Sequence, residues 1–394
     1  MHRPESTLPA KLRAMSDGVT IPQDMLPSDG RFGSGPSKIR HEQIQAIVDA
    51  GSSLMGTSHR KPPVRRLVAS IREGLADFFS LPEGYEVALG NGGASAFWDI
   101  ACACLIDHRA AFGSYGSFSA KFANEAASAP FLEAPAVYTS EPGTYRVPDP
   151  TEGVDAYCWA HNETSTGVSA PVERVKGSGA QGALTLIDGT SAAGALPVDV
   201  SQTDAYYFSP QKAFGADGGL WFALLSPEAV DRAYSIEDRT RRSADGRWIP
   251  AFLSLTTALE NSRKEQTLNT PAVATLILME NQIRWMNGNG GLAWSTARCA
   301  TSAQTVYDWA ESSDYARPFV ADSAARSHSV VTVDLDQDVD ASKVVETLAS
   351  NGIRDTAGYR KLGRNQLRIG VFPSVDPEDV KALTGCIDYV VERL

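Results

Sequence analysis

Hydrophobic positions occur along the chain in short blocks, with polar and glycine-rich stretches between them. The runs at 184–187 and 205–208 are four residues each and predominantly apolar. Such runs predict strands buried on both faces of a mostly parallel sheet. Residues 85–89, 111–114, 154–159 and 329–335 are further strand candidates, and 366–372 alternates cleanly in the manner of a strand. Helical patterns lie between them. One follows the turn Gly33–Ser37 and carries Ile39, Ile44, Ile47 and Val48 as its apolar positions. Others cover 64–79, 96–106, a segment starting at Gly116, 227–236, 251–261, 271–285, 293–309, 339–350 and 377–391. Residues 131–153 read as loop and 237–246 as a charged surface loop. Strands alternating with helices predict an α/β fold with a large sheet domain, followed by a small α+β domain. The cluster Asn287-Gly288-Asn289-Gly290-Gly291 marks the boundary. The expected division is an irregular arm over 1–30, a large domain over 31–287 and a small one over 288–394.

Candidate chemistry sits at the ends of the two central strands. Asp188 closes the first, Lys212 lies just past the second, and Gly215, Gly218 and Gly219 follow. Open α/β sheets bind ligands at the carboxyl ends of their strands. A lysine and an aspartate there suit pyridoxal phosphate, the lysine forming a Schiff base and the aspartate pairing with the pyridine nitrogen. A surface lysine and a turn aspartate would leave the same spacing. The strand-to-helix turn Gly90–Ser95 offers free N–H groups and a helix dipole to a phosphate. It is neither GxGxxG nor a Walker loop, and a tight turn alone also explains its glycines. Phe118, near a strand edge, can stack on a planar ring or join the core. The strand exit from His161 to Gly167 is unusually polar; Thr164 can donate to a cofactor oxygen, and Asn162 can orient a ligand or cap a turn. His59 and Arg60 lie on a polar loop. Thr270 before Pro271 can cap a helix. Arg360 lies in a loop, and Arg368, inside a strand, needs a partner or a wet face.

Composition narrows the setting. The formal net charge is −11, from 36 basic and 47 acidic residues, without a basic block. That argues against nucleic acid and anionic membranes as partners. No apolar run has transmembrane length, the opening residues lack the apolar core of a signal peptide, and five cysteines without CxxC suit a reducing compartment. A cytoplasmic chain acting on small molecules, with no metal, is the expectation.

The segments Gly33-Ser34-Gly35-Pro36, Ser58-His59-Arg60, Gly90–Phe97, His161-Asn162-Glu163-Thr164, Gln211-Lys212 and Asn269-Thr270-Pro271, with Asp188 and Arg368, resemble phosphoserine aminotransferases. FGSGPSK, GTSHR, WAHNETSTGV and YRKLGRNQLR are similar to the actinobacterial branch of that family, from about Asp29 to Leu394. The resemblance implies the pyridoxal-phosphate transferase fold type I: a mostly parallel seven-stranded sheet plus a small C-terminal domain. It implies transamination between O-phospho-L-serine and 2-oxoglutarate in serine biosynthesis, and leaves open a vitamin B6 precursor, 4-phosphohydroxy-L-threonine. It also implies a homodimer with shared active sites. Lys212 is similar to the Schiff-base lysine and Asp188 to the carboxylate on the ring nitrogen. Thr164 resembles the hydroxyl at the phenolic oxygen, and Gly93, Ala94 and Gln211 resemble phosphate-cup residues. Asn269 and Thr270 resemble a pair supplied by the other subunit. Arg368 resembles the clamp on the substrate α-carboxylate; Arg60 and Arg360, with His59 from the partner subunit, resemble the substrate-phosphate site.

Three positions depart from the broader family: Ala94 stands where arginine is usual, Phe118 where tryptophan stacks, and Tyr359 where a histidine is usual. The Arg360–Arg368 spacing is also two residues longer. Other readings remain open: a transaminase using alanine or serine with glyoxylate, a cysteine desulfurase, or a cofactor-free binding protein on the same fold.

Overall fold

The structure, a computed structural model, describes residues 18–179, 182–242 and 247–394. Its large sheet collects β1 (Glu86–Gly92), β2 (Ala110–Ser114), β3 (Ala136–Thr139) and β4 (Ala156–Ala160). Beyond a ribbon of β5 (Asn162–Glu163) and β6 (Val168–Ser169), the sheet continues with β7 (Leu184–Asp188), β8 (Ala205–Phe208) and β9 (Gly219–Leu225). The order is β1-β9-β8-β7-β4-β2-β3. The pairs among β2, β3, β4, β7 and β8 are parallel, while β9 runs antiparallel to both neighbours. The expected seven-stranded, mostly parallel sheet is therefore present.

Side-chain alternation splits the core in two, because successive strand residues point to opposite faces. Ile187, Tyr206, Phe208 and Phe222 face a layer containing α2 (Pro62–Phe78) and α7 (Val273–Gly288). Leu186, Ala205, Tyr207 and Ala223 face the layer of α3 (Ala94–Cys104), α4 (Ser117–Ser128), α5 (Pro227–Arg242) and α6 (Leu255–Ser262). Every residue of β4, β7 and β8 is buried, which is why these strands read as apolar runs without polar faces. Burying each Leu, Ile or Phe here stabilises the fold by about 1.5–3 kcal/mol.

The remaining unit contains α8 (Gly291–Ser312), the antiparallel sheet β10 (Ala316–Pro318)–β11 (Val330–Leu335)–β12 (Gln366–Gly370), α9 (Ala341–Ser350) and α10 (Pro377–Val391). Asp340 and Asp376 cap α9 and α10 by accepting from first-turn amides. Ile21 and Phe32 are buried in this unit's core. Asn351 accepts from Ile21 N at 2.9 Å and donates to Val19 O at 3.0 Å, so residues 19–32 pack on the C-terminal unit. Residues 1–17 lie outside the described residues.

Other elements differ from the sequence pattern for physical reasons. β3 occupies part of the expected 131–153 loop, where an edge strand half exposed to solvent leaves only a weak apolar signal. α5 runs through the first half of the expected charged loop; Arg241–Glu237 and Arg242–Asp238 ion pairs, four residues apart, suit an exposed helix end. Residues 243–246 of that loop lie outside the described residues. In α1 (His41–Leu54) the expected apolar positions divide: Ile47 packs against the core, while Ile44 is 47% and Val48 68% exposed and Gln43 is buried. Among the described residues no helix is long and apolar enough to cross a membrane.

Candidate active site

Asp188 and Lys212 are 6% and 9% exposed, so neither is a surface residue. They lie at the carboxyl ends of the adjacent parallel strands β7 and β8. Asp188 Oδ1 accepts from Thr190 N at 2.8 Å and Oδ2 from Trp98 Nε1 at 3.0 Å. Burial raises its pKa, and these donors pull in the opposite direction. Lys212 Nζ donates to Ser34 O at 2.6 Å. Burial, with the positive charge of Arg368 beside it, lowers the lysine pKa to about 8. Gly35, at φ +138°, leaves the corridor for this side chain; a Cβ there would stand 2.8 Å from Lys212 Cδ.

The segment after Lys212 is held by groups with no motif to announce them. Ser37 Oγ donates to Lys212 O, and Ser37 N to Gln211 O at 2.9 Å. Gln43 Nε2 donates to Gly215 O and Leu278 O at 2.8 and 2.9 Å, which explains the buried glutamine of α1. A lysine with pKa about 8 is half deprotonated there, whereas one near 10.5 is almost wholly charged. Capture of an aldehyde by the cofactor-free protein should therefore rise with pH around a midpoint near 8, measured by stopped-flow absorbance. A midpoint near 10 would mean that Lys212 is solvated.

α3 joins the two ends of the site. Its positions 94 and 98, four apart, share a face. Ala94 N donates to Ser209 Oγ at 2.6 Å, and Trp98 reaches Asp188. Gly93 precedes that first turn, and Gln211 Oε1, next to Lys212 in sequence, is buried without a hydrogen-bond partner among the described residues. Thr164 Oγ1 and Asn162 Nδ2 each bond Ser191 Oγ at 2.8 Å, and Asn162 Oδ1 is also buried without a partner. Arg368 Nη1 donates to Thr164 O at 3.2 Å, its Nε is buried without a partner, and burial lowers its pKa. Its guanidinium lies 5.3 Å from the Tyr359 ring, which is 6.0 Å from the half-buried Phe118 ring. A cleft of about 430 Å³ opens here, lined by residues 33–36, Asp355, residues 357–361 and Arg368.

The structure thus gathers Lys212, Asp188, Gly93, Ala94, Gln211, Thr164, Phe118, Arg360 and Arg368 around one region. His59, Arg60, Asn269 and Thr270 form a separate group outside the cleft lining. His59 Nδ1 lies 3.2 Å from Thr270 Oγ1, and Arg60 donates to Gln266 Oε1 at 2.8 Å. Asn91 Nδ2 donates to the carbonyls of Asn269 and Thr270 at 3.4 and 3.3 Å. The helix-cap reading of Thr270 does not hold, because α7 starts at Val273 and has no side-chain cap. Trp98, Ser191 and Ser209 were not distinguished by sequence, since each acts across a tertiary contact.

Fold and site together define an α/β protein with a buried lysine and aspartate at the carboxyl ends of its central strands, next to a cleft containing Arg360 and Arg368. The chain belongs to the class-V aminotransferases: a family model described as "Aminotransferase class-V" matches residues 32–383. Within that class its relatives are phosphoserine aminotransferases. It is 56% identical to that of Rhodococcus opacus, over 96% of this chain and 100% of the relative. It is likewise 56% identical to the one from Rhodococcus jostii, over 96% and 100%. The fold is similar to a solved phosphoserine aminotransferase from Cytophaga hutchinsonii, with TM-score 0.82, 22% identity, and 93% and 99% of the two chains covered. It is also similar to one from Bacillus circulans subsp. alkalophilus, with TM-score 0.78, 20% identity, and 92% and 98% covered.

Proposed function

We propose that this chain transfers the amino group reversibly between O-phospho-L-serine and 2-oxoglutarate, giving 3-phosphohydroxypyruvate and L-glutamate in serine biosynthesis, with pyridoxal 5'-phosphate as cofactor. The observation that carries this reading is the buried lysine Lys212, which reaches Ser34 in the wall of a cleft also lined by Arg360, Lys361 and Arg368, with the buried Asp188 on the neighbouring strand end. The first turn of α3, with the Ser209 hydroxyl accepting from Ala94 N and its own proton left to donate, fits the phosphate of a ring compound. Lys212 would hold the cofactor covalently, Asp188 its ring nitrogen and Thr164 its phenolic oxygen. Gly93, Ala94, Gln211 and Ser209 would take its phosphate, and Phe118 would cover its ring face. When bound, the cofactor supplies an electron sink for charge left at the substrate Cα.

The chain's own groups supply the rest. Once the incoming amino group has displaced it from the cofactor, Lys212 Nζ, kept easily deprotonated by burial, would accept the Cα proton and return it. Asp188, oriented by Thr190 N and Trp98 Nε1, would pair with the ring nitrogen. Arg368, with its free Nε, grips the α-carboxylate common to both amino donors. Arg360 and Lys361 receive the distal phosphate or carboxylate, and the same groups suit 4-phosphohydroxy-L-threonine. Arg360→Ala should raise KM for phosphoserine by roughly tenfold or more while leaving alanine unaffected. Unchanged phosphoserine kinetics would place the distal anion elsewhere.

The working unit in this reading is a homodimer in the cytoplasm, where five free, buried cysteines are at home. His59, Arg60, Asn269 and Thr270 would serve the neighbouring subunit's site. Exposed Ile44, Val48 and Met55 on and just past α1 supply apolar surface for a second copy to cover. Ile44→Glu with Val48→Glu should shift the protein to monomer and lower activity, seen by sedimentation alongside assay. A double variant that stays dimeric would remove α1 from the interface.

A further inference from the structure

Glu163 is fully buried yet has no place in the chemistry above. Its oxygens receive the first turn of α4, the helix that carries Phe118. Oε2 accepts from Phe118 N at 3.1 Å, Ser119 N at 2.9 Å and Ser119 Oγ at 2.9 Å. Oε1 accepts from Ser165 N at 3.0 Å and Ser165 Oγ at 2.7 Å, and Ser165 Oγ in turn accepts from Ser117 N at 3.0 Å. The free amides at the start of α4 are thus spent on residues 163 and 165. The positive end of its dipole meets a fixed carboxylate and is not open to an outside anion. Gly116 permits this approach, since a Cβ would stand 2.7 Å from Ser165 Oγ. Thr164 lies between the two anchors and turns to the site, through Ser191 on its hydroxyl and Arg368 on its carbonyl.

We propose that Glu163 is a positioning residue: by binding the amides of Phe118 and Ser119 while flanking Thr164, it sets the Phe118 ring and the Thr164 hydroxyl in one fixed relation to the cofactor. This rests on the pyridoxal-phosphate reading of the site. Glu163→Gln keeps the shape, but its amide nitrogen presents a donor to N–H groups that need acceptors. A carboxylate serving so many donors makes the loss sizeable: cofactor affinity should fall roughly 10- to 100-fold.

A double-mutant cycle on the full chain separates positioning from general support. Pyridoxal 5'-phosphate is titrated into cofactor-stripped wild type, Glu163→Gln, Phe118→Ala and the double variant, read by absorbance and circular dichroism of the bound cofactor. The expected result is a large loss from Glu163→Gln that shrinks several-fold once Phe118 is absent, the remainder reflecting its hold on Thr164. Equal losses in both backgrounds, or none in either, would overturn the proposal. If Glu163→Gln does not fold, Ser119→Ala carries the cycle: a several-fold loss dependent on Phe118 supports positioning, and any other pattern overturns it. Wild type that binds no cofactor would overturn the cofactor reading and this proposal together. Normal wild-type binding with additive losses overturns this proposal alone.

Discussion

Lys212→Ala should lower kcat by roughly 10⁴-fold and leave the fold intact, because in the proposed reaction one nitrogen both anchors the cofactor and moves the Cα proton. Three readouts belong together. Activity is lost, borohydride no longer fixes pyridoxal phosphate to the chain by mass spectrometry, and circular dichroism is unchanged. Stability adds a check with a definite sign. The folded pKa of Lys212 is about 8, against 10.5 for an ordinary lysine. Between those values the unfolded chain binds more protons than the folded one, so stability rises with pH across that window and falls as pH drops through it. Removing the lysine should flatten that rise and relieve the cost of burying charge at neutral pH. A variant retaining activity within tenfold of wild type would displace Lys212 from the centre of the chemistry.

Arg368→Ala has the next largest expected effect, a loss in kcat/KM of about 100-fold or more for both glutamate and phosphoserine. Arg368 sits in β12 opposite Thr332; Leu367 and Ile369 turn to the opposite face, into the core, and the Arg368 guanidinium is placed by Thr164 O and the Tyr359 ring. One of its nitrogens fixes Thr164 O and another has no partner, ready for a carboxylate. Both amino donors carry the α-carboxylate, so both should suffer through KM. Alanine distinguishes Arg368 from Arg360: it carries the α-carboxylate but no distal anion, so it should suffer from loss of Arg368 and not from loss of Arg360. Arg368→Lys should not restore function, since an ammonium cannot reproduce the two-pronged contact. Impairment of one donor only would contradict the clamp.

How far the chain was readable follows from where each signal originates. β4, β7 and β8 are buried on both faces, so their apolar runs stand out. β3 is a half-exposed edge, and the helical tail of α5 is rich in charge, so neither carried a clear pattern. Ile44 and Val48 have helical spacing but point away from this chain's core; periodicity reports an apolar face without saying what covers it. Lys212 and Asp188 stood out as candidates because strand ends are places where chemistry collects, and the family resemblance then favoured the cofactor reading over a surface lysine and a turn aspartate. Their partners were not: Trp98 is 90 positions from Asp188 and Ser34 is 178 from Lys212, and they meet only after α3 and the residue 33–37 turn have docked. The roles of Arg360 and Arg368 came from family resemblance, since a lone arginine in a loop or strand has many bland explanations. Glu163 lay within a quoted motif without a role, because its partners belong to a helix that starts 46 residues earlier.

The most direct test is a single-turnover half-reaction. Protein loaded with pyridoxal phosphate is mixed separately with phosphoserine, glutamate and alanine, and conversion of the bound cofactor from its aldehyde to its amine form is followed by absorbance. Phosphoserine and glutamate should convert it, each with a specificity about 100-fold or more above alanine, reflecting the distal-anion contacts. Conversion by alanine as readily as by phosphoserine, or no conversion by phosphoserine, would contradict the assignment.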